Sequence, residues 1–186
     1  MEQLFEEFGH PTYTPFSVIV ARLLLAAVFG AAIGFEREWR NRPAGLRTHV
    51  LVCVAAATFG ILTIEIVHAP MFSVDVAKDA VKVDPIRVVE AVTAGVAFLA
   101  AGTILFSRGE VRGLTTGAGM WLAGAIGLAS GLGLWQIAGF ATLLSLIVLG
   151  LLHAFEVRTG VSRDKREDDR PPEPKKQGKG PRRQNS

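Results

Sequence analysis

Apolar residues are grouped into five long blocks that short polar stretches separate. A helix needs roughly 20 residues, at about 1.5 Å each, to cross the hydrocarbon core of a bilayer. Helices are expected because lipid cannot hydrogen-bond free backbone groups. The pattern therefore predicts an all-α, polytopic membrane protein with five transmembrane helices. The blocks are Phe16–Phe35, Leu46–Val67, Val88–Phe106, Thr115–Leu132 and Leu134–Phe155.

The basic residues between the blocks predict the orientation of the chain. Arg37, Arg40 and Arg42 lie between the first two blocks and Arg47 lies at the start of the second, and basic residues near a helix end favour the cytoplasm. The N-terminus is then outside and the C-terminus cytoplasmic. Three segments follow: an external segment over residues 1–15, with a short interfacial helix predicted in it, a membrane domain over 16–156, and a tail over 157–186.

The composition narrows the class of protein further. The chain has 186 residues, is 49% hydrophobic and has a mean hydropathy of +0.34, so little of it remains for a soluble domain. The net charge is +3, but residues 157–186 contribute +5, which leaves −2 elsewhere. The basic balance therefore belongs to a tail that we expect to be largely disordered, and it does not indicate nucleic-acid binding. This tail either anchors the orientation or contacts anionic lipid headgroups.

The residue types do not indicate an enzyme. The single cysteine, Cys53, excludes a disulfide within the chain and makes a cysteine metal site unlikely on sequence grounds. No nucleophile–base motif, metal-ligand spacing or glycine-rich phosphate loop is present. We therefore predict no catalytic residues, no metal and no cofactor. Residues 1–15 contain no Lys or Arg. A cleaved signal peptide begins with a positively charged n-region, so we do not expect one here.

Charged residues inside the apolar blocks predict an outer ionic cluster. Arg22, Glu65 and Glu90 all fall in the outer half of the membrane, with Asp84 and Arg87 at its rim. Ionisable groups there need a partner or water, so we expect Arg22 to pair with Glu65, Glu90 or both, unless its side chain extends to the interface. The pair either fixes the helices against each other or forms a cation or proton site.

A second group of polar residues, the inner cluster, lies where the first helix ends and the second and fourth begin. Helix N-termini present free N–H groups and a positive dipole end. The cluster is either an internal lock, between Glu36 or Glu38 and Arg47 or Arg112, or a cytoplasm-facing pocket for a phosphate, a lipid headgroup or a partner's acidic side chain. His49 is a candidate pH switch or a simple helix-start hydrogen-bonding residue. The cluster comprises Glu36, Arg37, Glu38, Arg47, Thr48, His49, Arg112, Thr115 and Thr116.

Small residues predict close helix packing. In lipid, small side chains let backbones approach, so that van der Waals contact holds the helices together. Two GxxxG motifs and further glycines of the third block lie on such faces. These faces pack either within the chain or against a second copy in a homodimer. The glycines are Gly30, Gly34, Gly95, Gly102, Gly127 and Gly131.

At these residues the chain resembles the MgtC/SapB family of bacterial inner-membrane proteins. The matching segments include ARLLLAAVFGAAIGFEREWRNRPAGLRTH, DPIRVVEAVTAGVAFLAAG and RGLTTGAGMWLAGAIGLASGLG, and the likeness spans about residues 21–133. One helix departs from the family pattern: Ala91 and Ala94 replace Gln and Ser, and Ala97 and Ala100 replace Gly. Small residues still permit packing there, but a polar ligand role for that helix is lost.

The resemblance implies a multi-pass protein of the bacterial inner membrane. The family is associated with growth at low magnesium, with virulence and, for one member, with inhibition of the F-type ATP synthase. It implies a non-enzymatic regulator whose partners are the lipid bilayer and a membrane ATPase complex. The small-residue faces add a second copy of the chain as a candidate partner. Two alternatives stay open: a small cation or proton transporter that uses Glu65 and Glu90, and a stress protein that binds an anion or lipid headgroup through Arg47, His49 and Arg112.

Overall fold

The computed structural model describes residues 12–69, 84–107 and 110–159. Five helices account for most of these residues, so the predicted helical class is confirmed. The elements are α1 (Phe16–Trp39), α2 (Leu46–His68), α3 (Pro85–Ala101), β1 (Leu105–Ser107), β2 (Glu110–Arg112), α4 (Leu114–Gly131) and α5 (Trp135–Thr159).

Two of the helices in the described ranges, α1 and α2, are long and apolar enough to cross a membrane. The apolar part of α5, Trp135–Leu151, is shorter. Many large apolar side chains on the surface are exposed, among them Leu24, Phe98 and Phe140. Such side chains suit contact with lipid tails, and the molecule is a membrane protein.

The third helix begins at Pro85, three residues before the predicted block, and it ends earlier than expected. Asp84 caps its start, because its Oδ1 accepts a hydrogen bond of 3.0 Å from the Ile86 N–H, and Pro85 occupies the first turn. The prediction that the helix reaches Phe106 is wrong. The Thr103 hydroxyl donates to the Ala100 carbonyl at 2.7 Å near the helix end, and a short antiparallel hairpin follows, with Phe106 opposite Val111.

The core forms where α4 packs against α1, α2 and α3. A methyl group added at Gly131 would overlap the Ala57 carbonyl oxygen, and one at Gly127 would overlap the backbone of Cys53. Gly30 and Gly34 bring α1 equally close to the backbone of α2 at the residues around His49. Both GxxxG motifs therefore pack within the chain, as one of the two predicted alternatives requires.

The other two glycines named from the sequence do not form helix contacts. A methyl group at Gly95 would meet nothing within 4 Å, and one at Gly102 would meet only carbonyl oxygens of its own helix. Neither glycine packs against another helix in the described part of the chain, because the contact between α3 and α4 lies elsewhere, and packing of these glycines against a second copy stays a prediction. It is formed by Ala100 against Gly117 and by Val96 against Gly124.

The chain divides into two compact units, Met1–Val148 and Leu149–Ser186, and the boundary falls inside α5. The predicted interfacial helix near the N-terminus, most of the loop between α2 and α3, and the basic tail lie outside the described residues.

Candidate functional site

The inner end of the bundle, defined here as the end at which α1 stops and α2 and α4 start, is built on a tight connection. After α1 the chain turns through Asn41 and Ala44, both at positive φ. Gly45 at the start of α2 has no side chain to cap the helix, and Glu38 does so instead: its Oε2 accepts from the Leu46 N–H at 2.8 Å. A methyl group at Gly45 would lie 2.8 Å from that same oxygen, so a larger residue there would require the Glu38 side chain to shift.

Arg37 lies at the centre of the inner end. Its side chain is only 2% exposed, which is rare for a charged residue. Nη2 donates a hydrogen bond of 2.8 Å to the Thr116 hydroxyl oxygen of α4, and so joins α1 to α4. Its Nε–H is buried and has no hydrogen-bond partner among the described residues. A buried donor of this kind costs free energy unless something accepts from it.

His49, from the first turn of α2, is fully buried beside Arg37. Its Nδ1 lies 3.0 Å from the Gly45 carbonyl oxygen, and because a carbonyl can only accept, Nδ1 carries the hydrogen. In the neutral ring, Nε2 is then an acceptor. This atom is also buried without a hydrogen-bond partner in the described part of the chain.

Gly119 of α4 lies next to both of these unsatisfied side chains. A methyl group built at Gly119 would lie 3.4 Å from His49 Nε2 and 3.8 Å from Arg37 Nη1, with no nearer atom from another helix. Arg37, His49, Thr116 and Gly119 thus lie next to one another, and we refer to these four residues together as the Arg37 pocket. Three helices contribute to it, and Gly119 itself is half-buried.

The remaining members of the inner cluster do not enter this pocket. Glu36 forms a salt bridge with Arg40 one turn later on α1, and Glu38 caps α2. These contacts correct the expected lock, in which these two carboxylates would bind Arg47 or Arg112. Glu36 and Glu38 lie at the C-terminal end of α1. Arg40, four residues after Glu36, and the N-terminus of α2 are therefore nearer partners for them than the expected arginines. Thr48 is half-buried, and Arg47, Arg112 and Thr115 are exposed around the pocket.

The expected pairing of Arg22 with a carboxylate is also corrected. Arg22 Nη1 donates to the Gly131 carbonyl oxygen at 3.0 Å, where the last carbonyls of α4 lack helical partners and attract a cation. Glu65 instead accepts from the Tyr13 and Thr14 N–H groups, at 2.8 and 3.0 Å. These two groups precede the first turn of α1, so the carboxylate fastens the start of α1 to the end of α2.

The outer ionic cluster is therefore spread over separate contacts. Asp84 caps α3, while Arg87 and Glu90 are exposed on that helix. Within residues 12–69, 84–107 and 110–159, no group of three or more His, Cys, Asp or Glu side chains could hold a metal ion. Sequence reasoning missed the role of Gly119, for which no local signal exists, and the stacking of Tyr13 on His68 with ring centroids 3.7 Å apart.

Comparison with known proteins identifies the family. The MgtC family model matches residues 23–158, which include all of α2, α3 and α4, α1 from Leu23 onward, and all of α5 except its last residue. The chain belongs to the MgtC family. The Arg37 pocket therefore lies within the matched region.

Members of the MgtC family at similar identity come from distant bacteria. The protein of Escherichia coli K12 named "Putative magnesium transporter YhiD" is 38% identical over 139 residues, 75% of this chain and 62% of that protein. Protein MgtC of Brucella abortus is 39% identical over 140 residues, 75% of this chain and 53% of that protein. Protein SrpB of Synechococcus elongatus is 40% identical over 136 residues, 69% of this chain and 71% of that protein.

The chain thus spans less than two thirds of the length of the first two relatives. No solved structure matches the chain.

Proposed function

We propose that this member of the MgtC family is a non-enzymatic regulator in the bacterial inner membrane, which it crosses several times with its N-terminus outside. Its working site is the inner end, where the Arg37 pocket lies at the centre and Arg47, Thr115 and Arg112 are exposed around it. The observation that carries the proposal is the burial of Arg37 and His49 with unsatisfied polar atoms. Groups of this kind are costly to fold and persist at functional sites.

The surface around the pocket supports an acidic partner. Arg47 lies in the first turn of α2 and is exposed, next to a helix N-terminus with its positive dipole end. Exposed arginines are frequent anchors in protein interfaces because the guanidinium group binds carboxylates in a two-pronged geometry. The resemblance to the family suggests another membrane complex as the partner, and an ATPase complex is our proposal.

Reversing the charge of Arg47 should abolish capture of that partner. We expect Arg47→Glu to lower the amount of complex recovered from solubilised membranes by at least about tenfold, since a charge reversal costs more than 1.4 kcal/mol when it faces an acidic surface. The measurement is affinity purification of the tagged chain from its native membrane, with quantitative mass spectrometry of the recovered subunits.

Arg87→Glu is the matched control, because Arg87 is also an exposed arginine in the first turn of a helix. It should recover as much complex as the wild-type chain. Equal losses in both variants would show that the site at the inner end is not specific, and no loss in either would remove Arg47 from the interface.

Cation transport is the second candidate. The name of the Escherichia coli relative describes a magnesium transporter, and Glu90 places an exposed carboxylate on α3, which carries no charged residue after it. An ionisable residue at such a position is a candidate for an ion path. This function predicts magnesium flux into liposomes that Glu90→Gln abolishes and that Arg47→Glu leaves unchanged.

A further inference from the structure

Helix α3 packs on the rest of the described chain along one side only. All residues of this helix are exposed except four, which recur at every fourth position. The contacts of the helix are with α4 and, to a lesser extent, with α2. The opposite side of α3 is therefore left to lipid or to a partner. The four less exposed residues are Val88, Val92, Val96 and Ala100.

The side of α3 that faces away from α4 carries small residues at coiled-coil spacing. Exposed residues lie there at alternating intervals of three and four, the spacing that keeps one seam of a helix against a parallel partner. Three of them are alanines, and small side chains let helix backbones approach closely in lipid. Two copies inserted in the same orientation hold their α3 helices parallel, so the seam can pair with itself across a two-fold axis. The seam consists of Arg87, Glu90, Ala94, Ala97 and Ala101.

A groove of about 140 Å³ between α3 and α4 borders this seam. Thr93 and Val96 line the groove from α3, and Trp121 and Ala125 line it from α4. On the helix surface, Thr93 is a neighbour of the seam residues three before and four after it. An apolar cavity of about 150 Å³ holds one benzene molecule, so the groove has room for one phenyl ring.

Phe98 lies on the other flank of the seam. It is the most exposed large apolar side chain in the described part of the chain, at 84%. In a parallel pair of helices, a residue on one flank of the seam meets the residue on the partner's other flank that lies five positions further on. Phe98 of one copy then meets Thr93 of the second copy. Because a helical side chain covers the turn before its own Cα, the ring reaches the level of the groove.

We propose that the seam of α3 binds the same seam of a second copy of this chain, and that Phe98 of each copy enters the groove between α3 and α4 of the other. The charges at the start of α3 agree with this pairing. Arg87 and Glu90 occupy successive seam positions, so the arginine of one copy lies within reach of the glutamate of the other. Exposed ion pairs contribute little, so the alanines and the ring supply most of the affinity. The inference does not rest on the proposed function, because it uses neither Arg47 nor the Arg37 pocket.

Disulfide crosslinking of the full chain in native membranes tests the seam. Ala94→Cys places a thiol in the seam, and Gly95→Cys is the matched control. The two positions lie at nearly the same depth but about 100° apart around the helix, and an added methyl group at Gly95 meets nothing within 4 Å. We expect Ala94→Cys to give at least about tenfold more covalent dimer, because a disulfide requires close Cβ atoms. The native Cys53 is fully buried, so the wild-type chain should give none.

Replacing the inserted ring tests the groove. The fraction of dimer is measured by single-molecule photobleaching of the labelled chain in liposomes over a range of protein densities. Phe98→Ala should weaken association at least about tenfold, since a buried aromatic anchor dominates an interface of this kind. Phe140→Ala is the control, because it removes another exposed phenylalanine, from α5, and should leave association unchanged. Both variants should melt as the wild type does, since both side chains are exposed in the single chain.

Three results would overturn the proposal: equal crosslinking of Ala94→Cys and Gly95→Cys, equal association of Phe98→Ala and the wild type, or a wild-type chain that stays monomeric at every protein density. The last result would leave the groove to lipid tails. Capture of a membrane complex through Arg47 is measured separately, so failure of either proposal can be recognised without the other.

Discussion

Gly131→Ala should strongly destabilise the protein. The added methyl group would overlap the carbonyl oxygen of Ala57 on α2, and backbone atoms cannot turn away as a flexible side chain can. Overpacking a rigid contact costs about 3 kcal/mol, which in a chain of this size lowers the melting temperature by roughly 6–12 °C. The shift would also disturb the Gly131 carbonyl, to which Arg22 donates.

Thermal unfolding in detergent, followed by tryptophan fluorescence, measures this effect. Gly95→Ala serves as the control, because the added methyl group is equally large and meets no other atom. We expect its melting temperature to equal or exceed that of the wild type. Similar melting temperatures for the two variants would show that α2 and α4 do not approach each other as closely as described.

Arg37→Met should remove function without removing the fold. Methionine has a similar length and no charge, and replacing a buried charged group by an apolar one of similar volume is often neutral or stabilising. The unsatisfied Nε–H disappears with the guanidinium group, while Thr116 keeps a hydroxyl that can bond its own helix. We expect a stability within about 1 kcal/mol of wild type, or above it, and at least a tenfold loss of partner capture.

The two readouts of Arg37→Met are measured on the same preparation, by thermal unfolding and by affinity purification with mass spectrometry. A folded variant that still captures the partner would show that Arg37 is a packing element only. A variant that unfolds would show that the guanidinium group is a structural lock, and the working site would then lie elsewhere at the inner end.

The sequence predicts the helices and the close packing of α4 against α2 well, because both depend on local patterns. Hydrophobic blocks define helices in lipid, and small residues four apart on α4 can only face a neighbouring backbone. The hairpin after α3 was missed because Leu105 and Phe106 continue an apolar run, and their strand pairing depends on residues 110–112 further along the chain.

The polar contacts could not be predicted from the sequence. Opposite charges at similar depth suggested that Arg22 binds Glu65, but backbone groups left free at helix ends compete for both side chains. For the same reason, Glu38 accepts a hydrogen bond from the N-terminus of α2. The sequence does place Arg37, His49 and Thr116 among the nine candidates of the inner cluster. Which of the nine face one another depends on how each helix is rotated about its axis, and the sequence does not determine this rotation.

The measurement that tests the central claim most directly is growth at low magnesium. The host is a bacterium that lacks its own family member and produces the wild-type chain, the Arg37→Met variant or the Glu90→Gln variant, each at the same level in the membrane. The claim is that the inner end, and not the carboxylate on α3, is the working site. We predict that the wild-type chain and Glu90→Gln restore growth and that Arg37→Met does not. Growth with Arg37→Met and none with Glu90→Gln would contradict the account and favour an ion path along α3.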